Sequence, residues 1–296
     1  MNKKIVIAGA SGFIGTWFTK KFKEAGYEVL FISRQKNHIQ WNDTNGIKLA
    51  LENSEMVINL AGKSVNCRYN QKNKNEILRS RIETTQAIGN AINQCVHPPK
   101  LWLNSSTATI YRHAEDRPQT ESTGEIGKGF SVDVATSWEK AFFDFKFLHT
   151  RQVALRISIV LGKDGGVIPV FARLVRFGLG GKQGNGKQMF SWIHIEDLFR
   201  IVQFIQTHTE IKGPVNCSTP NAVTNTELMK TFRKAMNKKI GLPAPVFLLK
   251  MGAVLIGTET ELILKSRWVI PEKLVTAGFT FTFPTLDVAL QEIFKK

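Results

Sequence analysis

Glycines stand at 9, 12 and 15 in the run Gly9-Ala10-Ser11-Gly12-Phe13-Ile14-Gly15, directly behind the β-branched segment Ile5-Val6-Ile7 and ahead of a helical pattern. In a strand–turn–helix context each glycine has its own task. Gly9 allows the tight turn, Gly12 lets the backbone come close to a pyrophosphate, and Gly15 lets helix and strand pack closely. The helix N-terminus adds free N–H groups and the positive end of a dipole, which attract the anion. Ser11, Phe13 and Ile14 complete this turn, and the chemistry it implies is dinucleotide binding.

A second strand ends Phe31-Ile32-Ser33-Arg34, where an NAD-specific site places a carboxylate on the ribose 2′-hydroxyl. No acid is there. Arg34, seconded by Ser33 and Lys36, offers charge-assisted hydrogen bonds to a 2′-phosphate, so the expected cofactor is NADP(H). Asn59-Leu60-Ala61-Gly62 runs from a strand into a small-residue turn at the carboxyl edge of the sheet, and all four are expected to line the cofactor. Arg156 and Lys163 fall near a later strand end, beside the nicotinamide half, with Arg156 a cofactor contact. His194 and Asp197, at a strand-to-helix junction, are read as structural hydrogen-bonding and capping groups.

These residues need a scaffold, and the first half alternates short β-branched runs with helical stretches. The strands are Ile5 to Ala8, Glu28 to Ser33, Met56 to Ala61, Leu101 to Ser105 and Val153 to Val160; the helices are Phe13 to Ala25, Asn75 to Gln94 and Val132 to Phe147. Such alternation predicts βαβ units: an α/β fold with a doubly wound parallel sheet, the Rossmann architecture. Gly213 to Ser218 and Asn225 to Met236 return the chain to the sheet. A Rossmann domain over 1–242, with 163–190 contributing to a substrate lobe, and a small C-terminal domain over 243–296 are expected.

With 296 residues, 43% of them hydrophobic, the chain can bury a large core. The apolar stretch from Val246 to Gly257 carries Lys250 and is shorter than the roughly 20 residues a bilayer crossing needs, so a soluble, cytoplasmic protein without membrane association is expected. Cys67, Cys95 and Cys217 lack any Cys-x-x-Cys pairing, which argues against a disulfide framework or a metal site. The net charge of +16 comes from basic residues scattered from Lys3 to Lys296, which reads as a solvated basic surface and not as a nucleic-acid interface.

Asn59-Leu60-Ala61-Gly62, Ser80-Arg81-Ile82, Trp138-Glu139, Gly178-Leu179-Gly180-Gly181, Ser191-Trp192-Ile193-His194 and Pro271-Glu272-Lys273-Leu274 with Gly278-Phe279 occur in order along the chain. This set resembles an extended short-chain dehydrogenase/reductase of the sugar-nucleotide epimerase type, and more narrowly the epimerase-like subgroup with a small C-terminal domain of unknown function. The resemblance implies an NADP(H)-binding Rossmann domain and a C-terminal lobe from about Pro243. In the wider superfamily a Ser or Thr polarises a carbonyl, and Thr107 in Ser105-Ser106-Thr107-Ala108-Thr109-Ile110-Tyr111 resembles it. A Tyr-x-x-x-Lys pair follows there; anchoring on Trp138-Glu139 places Ser131 and Ala135 at those positions, and no tyrosine lies after Tyr111.

An unperturbed tyrosine has a pKa near 10 and works as an acid or base only when lowered, so Ser131 is no substitute. The expected catalytic residues are therefore Thr107 and, as relocated acid, Tyr111. Arg81, Ser131 and Gln188 are expected substrate contacts, Arg81 standing where the superfamily has Asn. The partner is a small molecule, an anionic one fitting Arg81 and Arg112, and the protein a monomer or homodimer. The function expected is that of an NADP(H)-binding epimerase- or oxidoreductase-like protein. The alternative is a catalytically weak dinucleotide-binding module with a regulatory or scaffolding role.

Overall fold

The computed structural model describes residues 3–247, 249 and 261–295, so most of the apolar stretch from Val246 to Gly257 lies outside the described residues. The elements run β1 (Lys4–Ala8), α1 (Phe13–Glu24), β2 (Glu28–Ile32), α2 (Thr44–Leu51), β3 (Met56–Asn59), α3 (Gln71–Asn93), β4 (Leu101–Thr107) and a 3₁₀ turn at Ala108–Ile110. Then come α4 (Phe130–Phe143), β5 (Arg151–Ile157), β6 (Ile159–Gly162), β7 (Gly165–Gly166), α5 (Ile168–Arg176), β8 (Met189–Phe190), β9 (Trp192–His194) and α6 (Ile195–Thr207). β10 (Gly213–Cys217), β11 (Val223–Thr224), α7 (Asn225–Ala235) and helices Glu261–Leu264, Glu272–Thr276 and Leu286–Phe294 close the chain.

Strands β2-β1-β3-β4-β5-β10, in that spatial order, form one all-parallel sheet. A parallel sheet is covered on both faces, which is why β1 and β3 are near-continuous apolar runs. Alternate side chains serve the two layers: Ile5 and Ile7 pack with Phe18, Phe22 and Phe199 of α1 and α6, while Val6 and Ala8 pack with Ile88, Trp102 and Phe142 on the side of α2, α3 and α4. β1 connects to β2 on one side and is flanked by β3 on the other. The crevice of a doubly wound sheet therefore opens above Ala8, at its carboxyl end.

The single strand expected over Val153 to Val160 is broken at Ser158. The Ser158 N–H donates to Cys217 O of the main sheet (3.1 Å), whereas the Ile159 N–H donates to Ser191 O (3.3 Å), and β6 joins a separate sheet with β7 and β9. That sheet, α5, α7 and the helix Leu286–Phe294 enclose a second core around Leu161, Trp192, Phe232 and Leu290. Leu274 and Phe279 instead pack into the main core. The described residues after 243 thus share the cores of the preceding chain.

Arg156 is buried on β5 and grips Glu139 of α4 with two hydrogen bonds, Nε to Oε1 (2.8 Å) and Nη2 to Oε2 (2.7 Å). Ser106 donates to the same Oε1 (2.6 Å), and Arg156 Nη1 donates to the Tyr111 hydroxyl (2.8 Å), which donates to Asn216 Oδ1 (2.9 Å). Burial alone would lower the Arg156 pKa, but the Glu139 carboxylate more than offsets it and holds the guanidinium charged. This network ties β4, β5, β10 and α4 together beneath the crevice.

His194 caps α6: Nδ1 accepts from the Glu196 N–H (3.3 Å), which leaves the proton on Nε2 to donate to Glu292 Oε2 (3.2 Å). Burial lowers its pKa, outweighing the upward pull of Glu292, Asp197 and Glu196. The folded pKa thus lies below the unfolded value of about 6.5, so the neutral cap contributes fully above that pH and the contribution is lost as pH falls below it. Urea unfolding should show stability declining below pH 6.5 with a slope of at most about 1.4 kcal/mol per pH unit from this group. His194→Asn, which preserves a cap acceptor, should flatten that decline; an unchanged slope would remove His194 as its source.

Candidate functional site

A cleft of about 750 Å³ opens at the carboxyl end of the sheet, between the Rossmann layers and the β6–α5 excursion. Its first wall is the turn from β1 into α1. Gly9 has φ +82°, and a Cβ there would lie 2.8 Å from Ala61 N and Leu60 C; one on Gly15 would lie 2.5 Å from Gly9 O. Gly12 differs, because a Cβ on it would meet only Gly9 O at 3.5 Å and would otherwise project into open space. Two glycines are required for packing, and the third keeps a space clear in front of the first N–H groups of α1, which no side chain caps. That is the shape a pyrophosphate needs.

Gly9, Gly12, Phe13, Ile14, Gly15, Leu60, Ala61 and Gly62 all line the cleft, as do Arg81, Thr107, Ser131 and Gln188. Ser11 is exposed beside it. Arg34 stands at the end of β2, tied to the turn through Gly9 N–H to Ile32 O (3.3 Å), and is exposed without a hydrogen bond or ion pair to the described residues. Ser33 is engaged already: its hydroxyl shares a hydrogen bond with His38 Nδ1 (2.9 Å) and accepts from the Gln35 N–H (2.9 Å).

Four expected contacts are corrected by the geometry. Asn59 points into the protein, where Nδ2 donates to Asn104 Oδ1 (2.8 Å) and Oδ1 accepts from the Ala61 N–H (3.1 Å); it shapes the turn without lining the cleft. Arg156 is committed to Glu139, and its neighbour Ile157 faces the cleft instead. Tyr111 is 2% exposed, with its hydroxyl held by Arg156 and Asn216 and its pKa raised by burial, so it is placed neither to reach a ligand nor to titrate. Arg112 pairs with Asp116 and Glu125 outside the cleft.

Thr107 lines the cleft, and its Oγ1 accepts from the Thr109 N–H (3.1 Å), a bond that does not use the hydroxyl proton. Ser131 and Ala135, at the positions of the missing pair, both face the cleft, and Ser131 donates to Glu261 Oε2 (3.1 Å). Arg81 donates to Lys63 O (3.1 Å) and Ile77 O (2.9 Å) and lies over Trp138, its pKa lowered to about 10 by burial.

Several lining residues carry no motif. Lys265 donates to Thr109 O (2.8 Å), its pKa lowered to about 8 by burial and the neighbouring Arg267; Arg267 donates to Thr109 Oγ1 (3.0 Å). Ser158, just after β5, and Gln188 both line the cleft, and the Ser158 hydroxyl and Gln188 Oε1 are buried without a partner among the described residues. A basic Ser-Arg segment far down the chain is no signal of a cleft beside Thr109, and Ser158 became visible only when the strand broke there. Among the described residues no cluster could hold a metal, and no helix is long and apolar enough to cross a membrane.

The doubly wound sheet, the glycine cradle and the hydroxyl at the end of β4 define an extended short-chain dehydrogenase/reductase. The chain belongs to the NAD dependent epimerase/dehydratase family, whose model matches residues 5–218, and residues 244–293 match a domain of unknown function, DUF1731. It is 30% identical to the epimerase family protein SDR39U1 of Mus musculus (98% of this chain, 99% of the relative) and 31% identical to the epimerase family protein YfhF of Bacillus subtilis (98% and 97%). Among solved structures, the human epimerase family protein SDR39U1 (isoform 2) with NADPH superposes with a TM-score of 0.90 at 31% identity, covering 99% of both chains.

The glycine geometry separates two variants that look alike in sequence. Gly12→Val should abolish dinucleotide binding and leave thermal stability near wild type, whereas Gly15→Val should lower stability by several kcal/mol, because overpacking against backbone has no room to relax. Calorimetric titration and thermal unfolding check both. Retained binding in a stable Gly12→Val protein would mean that the turn is structural only.

Proposed function

We propose that this chain binds NADP(H) and acts as an oxidoreductase- or epimerase-like enzyme on a small molecule. The observation that carries the reading is the space kept clear at Gly12 in front of uncapped N–H groups, with the exposed Arg34 one strand away. The first fits a pyrophosphate and the second a 2′-phosphate. The NADPH in the human relative supports the same choice. When bound, the cofactor supplies hydride at the nicotinamide. The chain's own residues would do the rest: the Thr107 hydroxyl would hydrogen-bond the carbonyl oxygen, the unpartnered Ser158 hydroxyl would serve the nicotinamide half, and residues of the β6–α5 excursion line the cleft around them.

A second reading is favoured by one feature. Ser131 and Ala135 stand where the superfamily's acid–base pair would be, and general acid–base catalysis is worth about 10² to 10⁴-fold. A chain without it fits a dinucleotide-binding module with little turnover and a regulatory or scaffolding role.

NADPH should bind at least tenfold more tightly than NADH, about 1.4 kcal/mol, with the difference lost in Arg34→Asp. Calorimetry checks this, and equal affinities in the wild type would remove the case for NADP(H). Reduction of simple ketones should be weak at saturating NADPH, and Thr107→Ala should reduce any turnover by roughly 10 to 10³-fold, the loss of one oxyanion-type donor. Brisk wild-type reduction would show that the missing pair is not needed, and turnover unchanged in Thr107→Ala would move the chemistry elsewhere.

A further inference from the structure

Helix α5 is apolar on two faces. Ile168 and Val175 are buried in the second core, with Ala172 buried beside them, as a surface helix requires. Val167 at its cap with Val170, Phe171 and Leu174 follow at i, i+3, i+4 and i+7 and all four line the cleft; Val167 and Phe171 rest on the second core as well, while Val170 has 55% of its surface exposed. Across the cleft, α4 presents Phe130, Val134 and Trp138 at intervals of four. A second apolar stripe on a short helix, facing a matching stripe, marks a binding compartment.

Two polar side chains of this compartment, Gln183 and Asn225, are committed to each other. Gln183 accepts from and Asn225 donates to the other (3.1 Å), and the Gln183 N–H donates to Asn225 Oδ1 (2.7 Å). Gln188 lines the cleft at 4% exposure and donates through Nε2 to Gln183 O (2.9 Å), while its buried Oε1 meets no donor among the described residues. A buried carbonyl oxygen left without a donor costs about 1–3 kcal/mol, so the protein gains whatever a ligand donor restores. A polyhydroxylated sugar would instead set most of its hydroxyls against aliphatic carbon, where each unmade bond is a loss.

We infer that the substrate is a largely apolar ring compound bearing a carbonyl or carbinol group and a hydrogen-bond donor, its body held between the α4 and α5 stripes and its donor on Gln188 Oε1. This rests on the cofactor reading above. Thr107 fixes the reacting oxygen and Gln188 the remote donor, which together orient the ring.

The test uses the full chain loaded with NADP⁺ and ligand-observed NMR. The probes are two- and three-ring aromatic and alicyclic ketones, each paired with its hydroxylated counterpart, with UDP-glucose as the opposite chemistry. Members of the ketone panel should bind. The best hydroxylated member should bind about tenfold more tightly than its parent, an advantage lost in Gln188→Met, as expected for one buried hydrogen bond. Val170→Asp, at an exposed position, should weaken both members of a pair at least tenfold while the protein stays folded in thermal unfolding. Tighter binding of UDP-glucose than of any ketone, no ketone binding at millimolar concentration, or Val170→Asp indistinguishable from wild type would each overturn the proposal. Failure of the wild type to bind NADP⁺ would instead overturn the cofactor reading.

Discussion

Backbone meets backbone where the β1–α1 turn crosses the turn after β3, and there is no room for a side chain at either Gly9 or Gly15. Much of the site follows from that contact. It brings Leu60 and Ala61 against the glycine turn, fixes the start of α1, and aims uncapped N–H groups at the cleft. Asn59 sustains it from below, its side chain turned inward to hold the Ala61 N–H and Asn104. The cofactor end of the cleft is thus a property of tightly packed main chain, with few side chains involved.

The other end is built differently. Under Thr107 the floor is a closed set of side chains, Glu139, Arg156, Ser106, Tyr111 and Asn216, each satisfied by its neighbours. Such a network is costly to break, because removing one member leaves a buried charge or dipole unpaired. Tyr111 belongs to this floor. Glu121 extends it, accepting from the Asn216 N–H (2.8 Å), and Asn216 Nδ2 reaches Ile270 O (3.0 Å), so the floor also holds the C-terminal segment.

The parallel α/β sheet and the glycine turn were legible in the sequence because both rest on local signals: apolar runs bounded by turn residues, and glycines at fixed offsets from a strand. Side-chain direction at a strand end was not. Arg156 and Ile157 are adjacent, both near the carboxyl edge, and the alternation of a strand sends one to the Glu139 side and the other to the cleft. The same ambiguity placed Asn59 on the cofactor. The break at Ser158 was hidden because Val153 to Val160 reads as one apolar run, and only pairing with Ser191 and Cys217, distant in the chain, divides it.

Lys265 and Arg267 reach Thr109 from the far end of the chain. Around them, Gln119 N–H donates to Trp268 O (2.7 Å), Ile270 N–H to Gln119 O (3.1 Å), and Ser191 Oγ to Arg267 O (2.8 Å). This strap joins segments about eighty to a hundred and fifty residues apart, so its closure carries the loop entropy of the whole intervening chain. The parallel sheet through β10 takes all its strands from residues before 218, but the wall beside Thr109 needs residues beyond 264. The two ends of the cleft therefore differ in how far along the chain their partners lie: the glycine turn meets Leu60 and Ala61, whereas the wall beside Thr109 is completed by a residue 156 positions away.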